Sequence, residues 1–394
     1  MRKNYKLTML SCFGSYLTQS TVINFLPLLF ITFHDSFGIP LQQITLLITI
    51  NFIVQLVVDL LAAIFIDRVG YRAGAVGSQA FCSAGLILLA FLPDLTPTPF
   101  AGILISVIVY SVGAGLIEAL ISPIVESTPS DNKETAMSLL HSFYCWGHVM
   151  VVLVSTLFFW AFGIEKWRTM ALLWAILPTV VAVAFCFVPM CPLIQEGQKS
   201  MSWKELGKSR IFWVMVLMMI CAGASEHAVG QWASAFAERG LGVSKVVGDL
   251  AGPMAFAATM GICRMLHGTL GKRWDLRKLI IGSAMLCLVS YLLITLVPNP
   301  VVNLIGCAVC GFAISLMWPG TLSIAPKALP LGGTAMYALL ALAGDVGCSS
   351  GPTLVGFVSS LFRDNLKVGI LAAMIFPILI LLCIFKGNLG KETE

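Results

Sequence analysis

Ala63-Ile64-Phe65-Ile66-Asp67-Arg68-Val69-Gly70-Tyr71-Arg72 returns in degenerate form 205 residues later as Gly268-Thr269-Leu270-Gly271-Lys272-Arg273-Trp274-Asp275-Leu276-Arg277. Each copy is a short basic loop after a long apolar run. At the same offset Asp59 corresponds to Arg264, so each copy also carries one ionised group about two turns before its loop. Two copies of one loop imply two copies of the bundle around it, the parallel-repeat build of one large class of membrane protein.

The rest of the chain fits that repeat. Apolar stretches lie at approximately 7–33, 40–66, 73–92, 99–127, 134–160, 168–190, 211–237, 246–271, 278–297, 300–325, 332–362 and 366–387, which makes twelve. Turn chemistry marks the breaks, as in Phe37-Gly38-Ile39-Pro40 and Pro298-Asn299-Pro300. Of the 394 residues, 58% are hydrophobic and 11% charged, against roughly a quarter charged in soluble domains. Twelve spans of ~20 to 25 residues leave ~100 residues for connections, too few for a sizeable soluble domain. The expected fold is an all-α polytopic membrane protein: twelve transmembrane helices in two pseudo-symmetric six-helix bundles. The one long polar connection divides it into an N-terminal bundle at 1–191, a linker at 192–210 and a C-terminal bundle at 211–394.

Charge excludes other classes. A net charge of +5 with no basic domain does not suit nucleic acid. A chain this long and apolar is no secreted disulfide scaffold. With a cytoplasmic N-terminus, seventeen of the 24 Lys and Arg fall on inside segments, six on outside loops, and Arg264 lies within span eight. Both termini are therefore expected in the cytoplasm, in the inner (cytoplasmic) membrane. A cleavable signal peptide is not expected, because the first apolar stretch is too long for one.

The first loop resembles the Gly-x3-Asp-Arg-x-Gly-x-Arg pattern of the major facilitator superfamily, departing only at Ala63. The resemblance implies that Asp67, Arg68 and Arg72 latch the cytoplasmic ends of the two halves; the alternative is that the two arginines only set topology. Span four, Glu118-Ala119-Leu120-Ile121-Ser122-Pro123, looks like the Glu-x3-Asn-Pro of fucose-permease-like sugar/proton symporters, with Ser122 in place of Asn. His141-Ser142-Phe143-Tyr144 with Gly147, and Trp318-Pro319, are similar to that group too. Its span-one Asp corresponds to Asn24 here. By resemblance Glu118 carries the proton.

Charged groups inside a bilayer cost ~2.5 to 3.5 kcal/mol on insertion scales and normally face a cavity or a partner. Glu118, Glu226 and Asp345 lie deepest; Asp59, His141 and Arg264 lie nearer the cytoplasmic ends. Ser111, Gly115, Glu118, Ser122 and Glu126 form one stripe on span four. His141, Tyr144 and His148 share a face of span five, so a Glu118/His couple for proton exchange is expected, or else a structural hydrogen bond. Proton coupling is assigned to Glu118, Glu226, Asp345 and His141.

Amides with several donors and acceptors suit a polar neutral solute, although membrane helices also use them to bond one another. Gln19, Asn24 and Asn51 are the substrate candidates, with Tyr144, His148, Glu226 and Trp318; packing is the alternative for Trp318. Trp232 reads as packing or an interfacial anchor. Asp249 is expected to reach water. Arg264 is expected either to neutralise an acid across the halves, as a gate, or to form a structural pair. Aligning Gly147 with Gly344, an offset of 197, makes His148 the mate of Asp345.

Cys307-Ala-Val-Cys310 has redox-pair spacing, but small thiols at helical spacing usually pack. No metal site or cofactor is expected. There is no Walker loop, His-Glu-x-x-His or Gly-x-Ser-x-Gly. The expectation is a monomeric secondary active transporter for a small polar organic solute, a sugar or sugar derivative, working by alternating access with proton symport. Its partners are that solute, protons and the lipid bilayer. A proton-coupled antiporter exporting a drug or metabolite, a transporter-like nutrient sensor and an intramembrane enzyme stay open as alternatives.

Overall fold

The computed structural model describes residues 5–129, 133–190, 203–270, 275–329 and 332–386. Within them the chain is helical, and eleven helices are long and apolar enough to cross a membrane. The twelfth, Gly333–Leu361, has 29 residues, about 43 Å at 1.5 Å per residue. That exceeds a ~30 Å hydrocarbon core. The fold is thus the expected twelve-helix membrane architecture.

The chain divides into two compact units, Met1–Gln195 and Glu196–Glu394. Most of the 192–210 linker expectation falls outside the described residues. In the first unit span one is Tyr5–Phe25, extended through a tight turn at Leu26–Leu29 to Phe37; spans two to six are Leu41–Val69, Tyr71–Leu95, Pro99–Ser127, Lys133–Phe162 and Trp167–Phe187. In the second unit span seven is Arg210–Gly230 and continues irregularly to Gly240. Span eight is Lys245–Asp249 and Ala255–Leu270 joined by a wide turn, and span nine is Leu276–Leu296. Span ten is Pro300–Ile314 and Met317–Ala328, span eleven Gly333–Leu361, and span twelve Leu366–Ala372 with Ile375–Lys386.

Helix pairing repeats. Span one packs on span five, three on four and six, and two on four. Span seven packs on eleven, nine on ten and twelve, and eight on ten, the same scheme shifted by six. The starts repeat as well. Thr98 caps span four with Pro99 at its first position, and Asn299 caps span ten with Pro300 there. Proline lacks the N–H that a first turn leaves unbonded anyway.

Gly70, at φ +90°, turns the chain between spans two and three, a conformation other residues resist. Two residues on, the Arg72 guanidinium donates to the Phe185 and Cys186 carbonyls at 2.7 and 2.9 Å and to Val188 at 2.7 Å. It satisfies the last carbonyls of span six and sits on the negative end of that helix. Arg277, its counterpart in the repeat, reaches the Ile384 carbonyl of span twelve at 3.4 Å.

Candidate transport site

In the first unit, polar side chains from spans one, two and four converge on Glu118. Gln19, buried on span one, donates its amide to Glu118 Oε2 at 2.5 Å. One turn toward the C-terminal end of span four, the Tyr16 and Ser122 hydroxyls lie 3.0 Å apart. His141 is exposed, and its ring stands edge-on to Tyr16 at 5.5 Å. The expected Glu118/His couple is therefore not formed. Span one lies beside Glu118, so the carboxyl meets an amide there and the span-five histidine meets a phenol instead.

Asn51 accepts the Ser111 hydroxyl at 2.7 Å, tying span two to span four. Asn24 donates to the Ser20 carbonyl at 2.9 Å and the Ser20 hydroxyl at 3.3 Å, bonds internal to span one. On spans one and two, Gln19 Oε1 and Gln55 Nε2 are buried with no hydrogen-bond partner, as are both amide atoms of Gln79 on span three. Tyr144 is half-buried and His148 buried on span five, whose Gly147 packs against Leu17 and Ser20. The Asp67 and Arg68 side chains lie outside the described residues.

In the second unit Glu226 is buried and pairs with Arg264 Nη2 at 3.1 Å, while Arg264 Nε donates to the Ser315 carbonyl at 3.3 Å. The break in span ten at Ser315 and Leu316 frees that carbonyl from its helix ladder. Arg264 thus neutralises an acid of its own unit, the structural-pair alternative. The same break turns Trp318 so that its ring rests on Gly344, where a side chain would collide with it. Asp345, the next residue, is half-buried.

Trp232 is fully buried and donates to the Pro352 carbonyl at 3.0 Å, so it packs rather than anchors at an interface. Asp249 differs from expectation: it is 1% exposed, accepts the Ser234 hydroxyl at 2.5 Å and faces Lys245 at 3.2 Å. Asp249 immediately precedes the wide turn at Leu250–Met254. Cys307 and Cys310 are buried free thiols.

Sequence reasoning missed three contacts. Tyr16 lies one helical turn from Gln19, a signal that was available, whereas the Ser315 carbonyl and the Arg72 capping role carry no side-chain signature. Asp59, which the sequence places inside span two and as Arg264's mate in the repeat, falls beside span four in the register set by Ser111 on Asn51 and Gly115 on Gln55.

The Major Facilitator Superfamily profile matches residues 8–352. No curated protein matches the chain in sequence. Among solved structures, a bacterial homolog of the human lysosomal transporter Spinster superposes with a TM-score of 0.79 at 15% identity, covering 98% of each chain. A D-xylose-proton symporter gives 0.78 at 13% identity, again over 98% of each. The E. coli fucose:proton symporter FucP gives 0.67 at 15% identity, over 98% of this chain and 99% of that one. At such identities the likeness is one of fold, and the profile match over most of the length places this chain in the Major Facilitator Superfamily of transporters.

Proposed function

We propose that the protein moves a small polar organic solute, a sugar or sugar derivative, across the cytoplasmic membrane by alternating access with proton symport. Both termini would face the cytoplasm, where seventeen of the 24 basic residues then lie. One observation carries the proposal. Glu118 is an acid within a membrane span whose hydrogen-bond partner is a neutral amide, beside two unspent amide atoms.

A carboxyl so placed binds and loses a proton without breaking an ion pair. Protonated, it stays bonded to Gln19; ionised, it is an uncompensated charge in the span. Gln19 Oε1 offers an acceptor and Gln55 Nε2 a donor, the two functions that pair with a hydroxyl. Asn24, Asn51, Tyr144 and His148 complete the proposed solute contacts in the first unit, and Trp318 and Glu226 in the second. Asp67, Arg68 and Arg72 gate the cytoplasmic side, and Arg264 holds Glu226. Glu226 and Asp345 are the secondary proton groups, with His141 next to the Tyr16 hydroxyl on the cytoplasmic side of Glu118.

A membrane potential of 100 mV supplies ~2.3 kcal/mol per proton. At ~1.4 kcal/mol per decade that sustains roughly 50-fold accumulation. Sugars and organic acids are first screened by thermal shift, since a bound solute stabilises the folded state. In proteoliposomes the stabilising solute should then enter with alkalinisation of the outside medium. Glu118→Gln should abolish uphill uptake and spare counterflow. Unchanged accumulation in Glu118→Gln removes Glu118 from the mechanism, outside acidification as the solute enters indicates the antiporter, and the absence of any pH change removes proton coupling.

A further inference from the structure

We infer that Asp59 and Glu118 form a two-carboxylate proton store within the first unit, in which Asp59 takes the proton that Glu118 gives up on its way to the cytoplasm. The transport role of this store rests on the proton-symport reading above. Its existence rests on geometry.

Spans two and four run parallel at a register of 60 residues. Ser111 bonds Asn51, and one turn on Gly115 packs against the backbone of Gln55, 2.7 Å from its carbonyl oxygen to the position a Cβ would occupy. One further turn sets Asp59 opposite Ala119, the neighbour of Glu118. Asp59 lies about 15 Å from the C-terminal end of its span and Glu118 about 14 Å from the end of its own, at 1.5 Å per residue. That register sets the two acids side by side on parallel spans.

No cation compensates them among the described residues. Neither acid takes part in an ion pair, and Asp59 has no hydrogen bond there either. From span four, Glu118 is the acid facing Asp59. From span three, Arg72 is committed to the carbonyls that end span six. Two neighbouring carboxylates resist ionising together, so near neutral pH they hold one proton as a pair and lose it only at a cost. Transfer from the Glu118 acid to the Asp59 carboxylate leaves Glu118 ionised and Asp59 protonated, and Asp59, which is half-buried rather than sealed, then gives its proton to water.

The test needs no solute. Infrared spectra of the purified protein in detergent, recorded across a pH titration, should show a carboxylic-acid band that persists at neutral pH. Glu118→Gln and Asp59→Asn should each change it, because each removes half of the pair, and Asp59→Glu should restore it. After a jump to alkaline pH, loss of the Glu118 band should be at least ~tenfold slower in Asp59→Asn, as expected when an acid–base partner is removed. An unchanged band or an unchanged rate in correctly folded Asp59→Asn overturns the inference, as does loss of the band on adding sodium, which marks a cation site instead. Absence of a solute-driven pH change leaves the infrared result standing, so the two failures are distinguishable.

Discussion

The two units surround the repeat-related positions Asp59 and Arg264 with opposite electrostatics. In the first, Glu118 of span four meets an amide from span one, and the register of spans two and four brings Asp59 alongside. In the second, the offset of 205 puts Arg264 where Asp59 stands, span ten contributes the Ser315 carbonyl, and span seven contributes Glu226. Arg264 joins all three positions, through Glu226 at 3.1 Å and the Ser315 carbonyl at 3.3 Å. One backbone plan thus sets acids without a cation partner among the described residues in one half and a neutralised lock in the other. An uncompensated acid exchanges protons cheaply, whereas a paired one must first break its partner's bonds.

The sharpest way to break this contrast is to open the lock. Arg264→Ala leaves Glu226 buried and unpaired, which should cost ~3 kcal/mol, seen as a large fall in thermal unfolding temperature in detergent. The double variant Arg264→Met/Glu226→Met should recover most of that loss, since a matched apolar pair of similar volume is often neutral. Glu118→Gln should leave the unfolding temperature near wild type while removing uphill uptake. If Glu118→Gln destabilises as much as Arg264→Ala, the two sites do not differ as described.

Packing offers a smaller effect. Span eleven approaches span seven through Gly347, where a Cβ would run into the Ile220 carbonyl and lie 2.8 Å from the Ala224 amide nitrogen. Gly347→Leu should cost ~1 to 3 kcal/mol by overpacking, measured as the same thermal shift; a neutral result would mean that these helices part easily. The smallest expected difference compares the two capping arginines. Arg72 holds three carbonyls and Arg277 one at 3.4 Å, so Arg72→Gln should destabilise by up to ~1 kcal/mol and Arg277→Gln by less. Equal losses would show that the caps are interchangeable.

Much of this was legible from the chain. Span number followed from apolar length, and the halves from the repeated loop, because a bilayer demands about 20 apolar residues per crossing and punishes stray charge. Glu118, Glu226 and Asp345 stood out for the same reason. Their partners did not. Depth along the chain pairs Glu118 with the histidine face of span five, but depth does not say which neighbouring helix a face meets. Asp249 lies near a helix end, where water is the expected neighbour, yet Ser234 of span seven and Lys245 enclose it.

Sequence by itself determined the twelve spans, the twofold repeat and the short roster of acids and bases inside the apolar stretches, since these depend only on hydrophobicity summed along the chain. Tertiary structure alone decided which of those groups are neutralised. That depends on contacts between residues as far apart as Gln19 and Glu118, on a helix break that frees the Ser315 carbonyl, and on a register that sets Asp59 beside Glu118; each is fixed by side-chain packing, which has no local period to read.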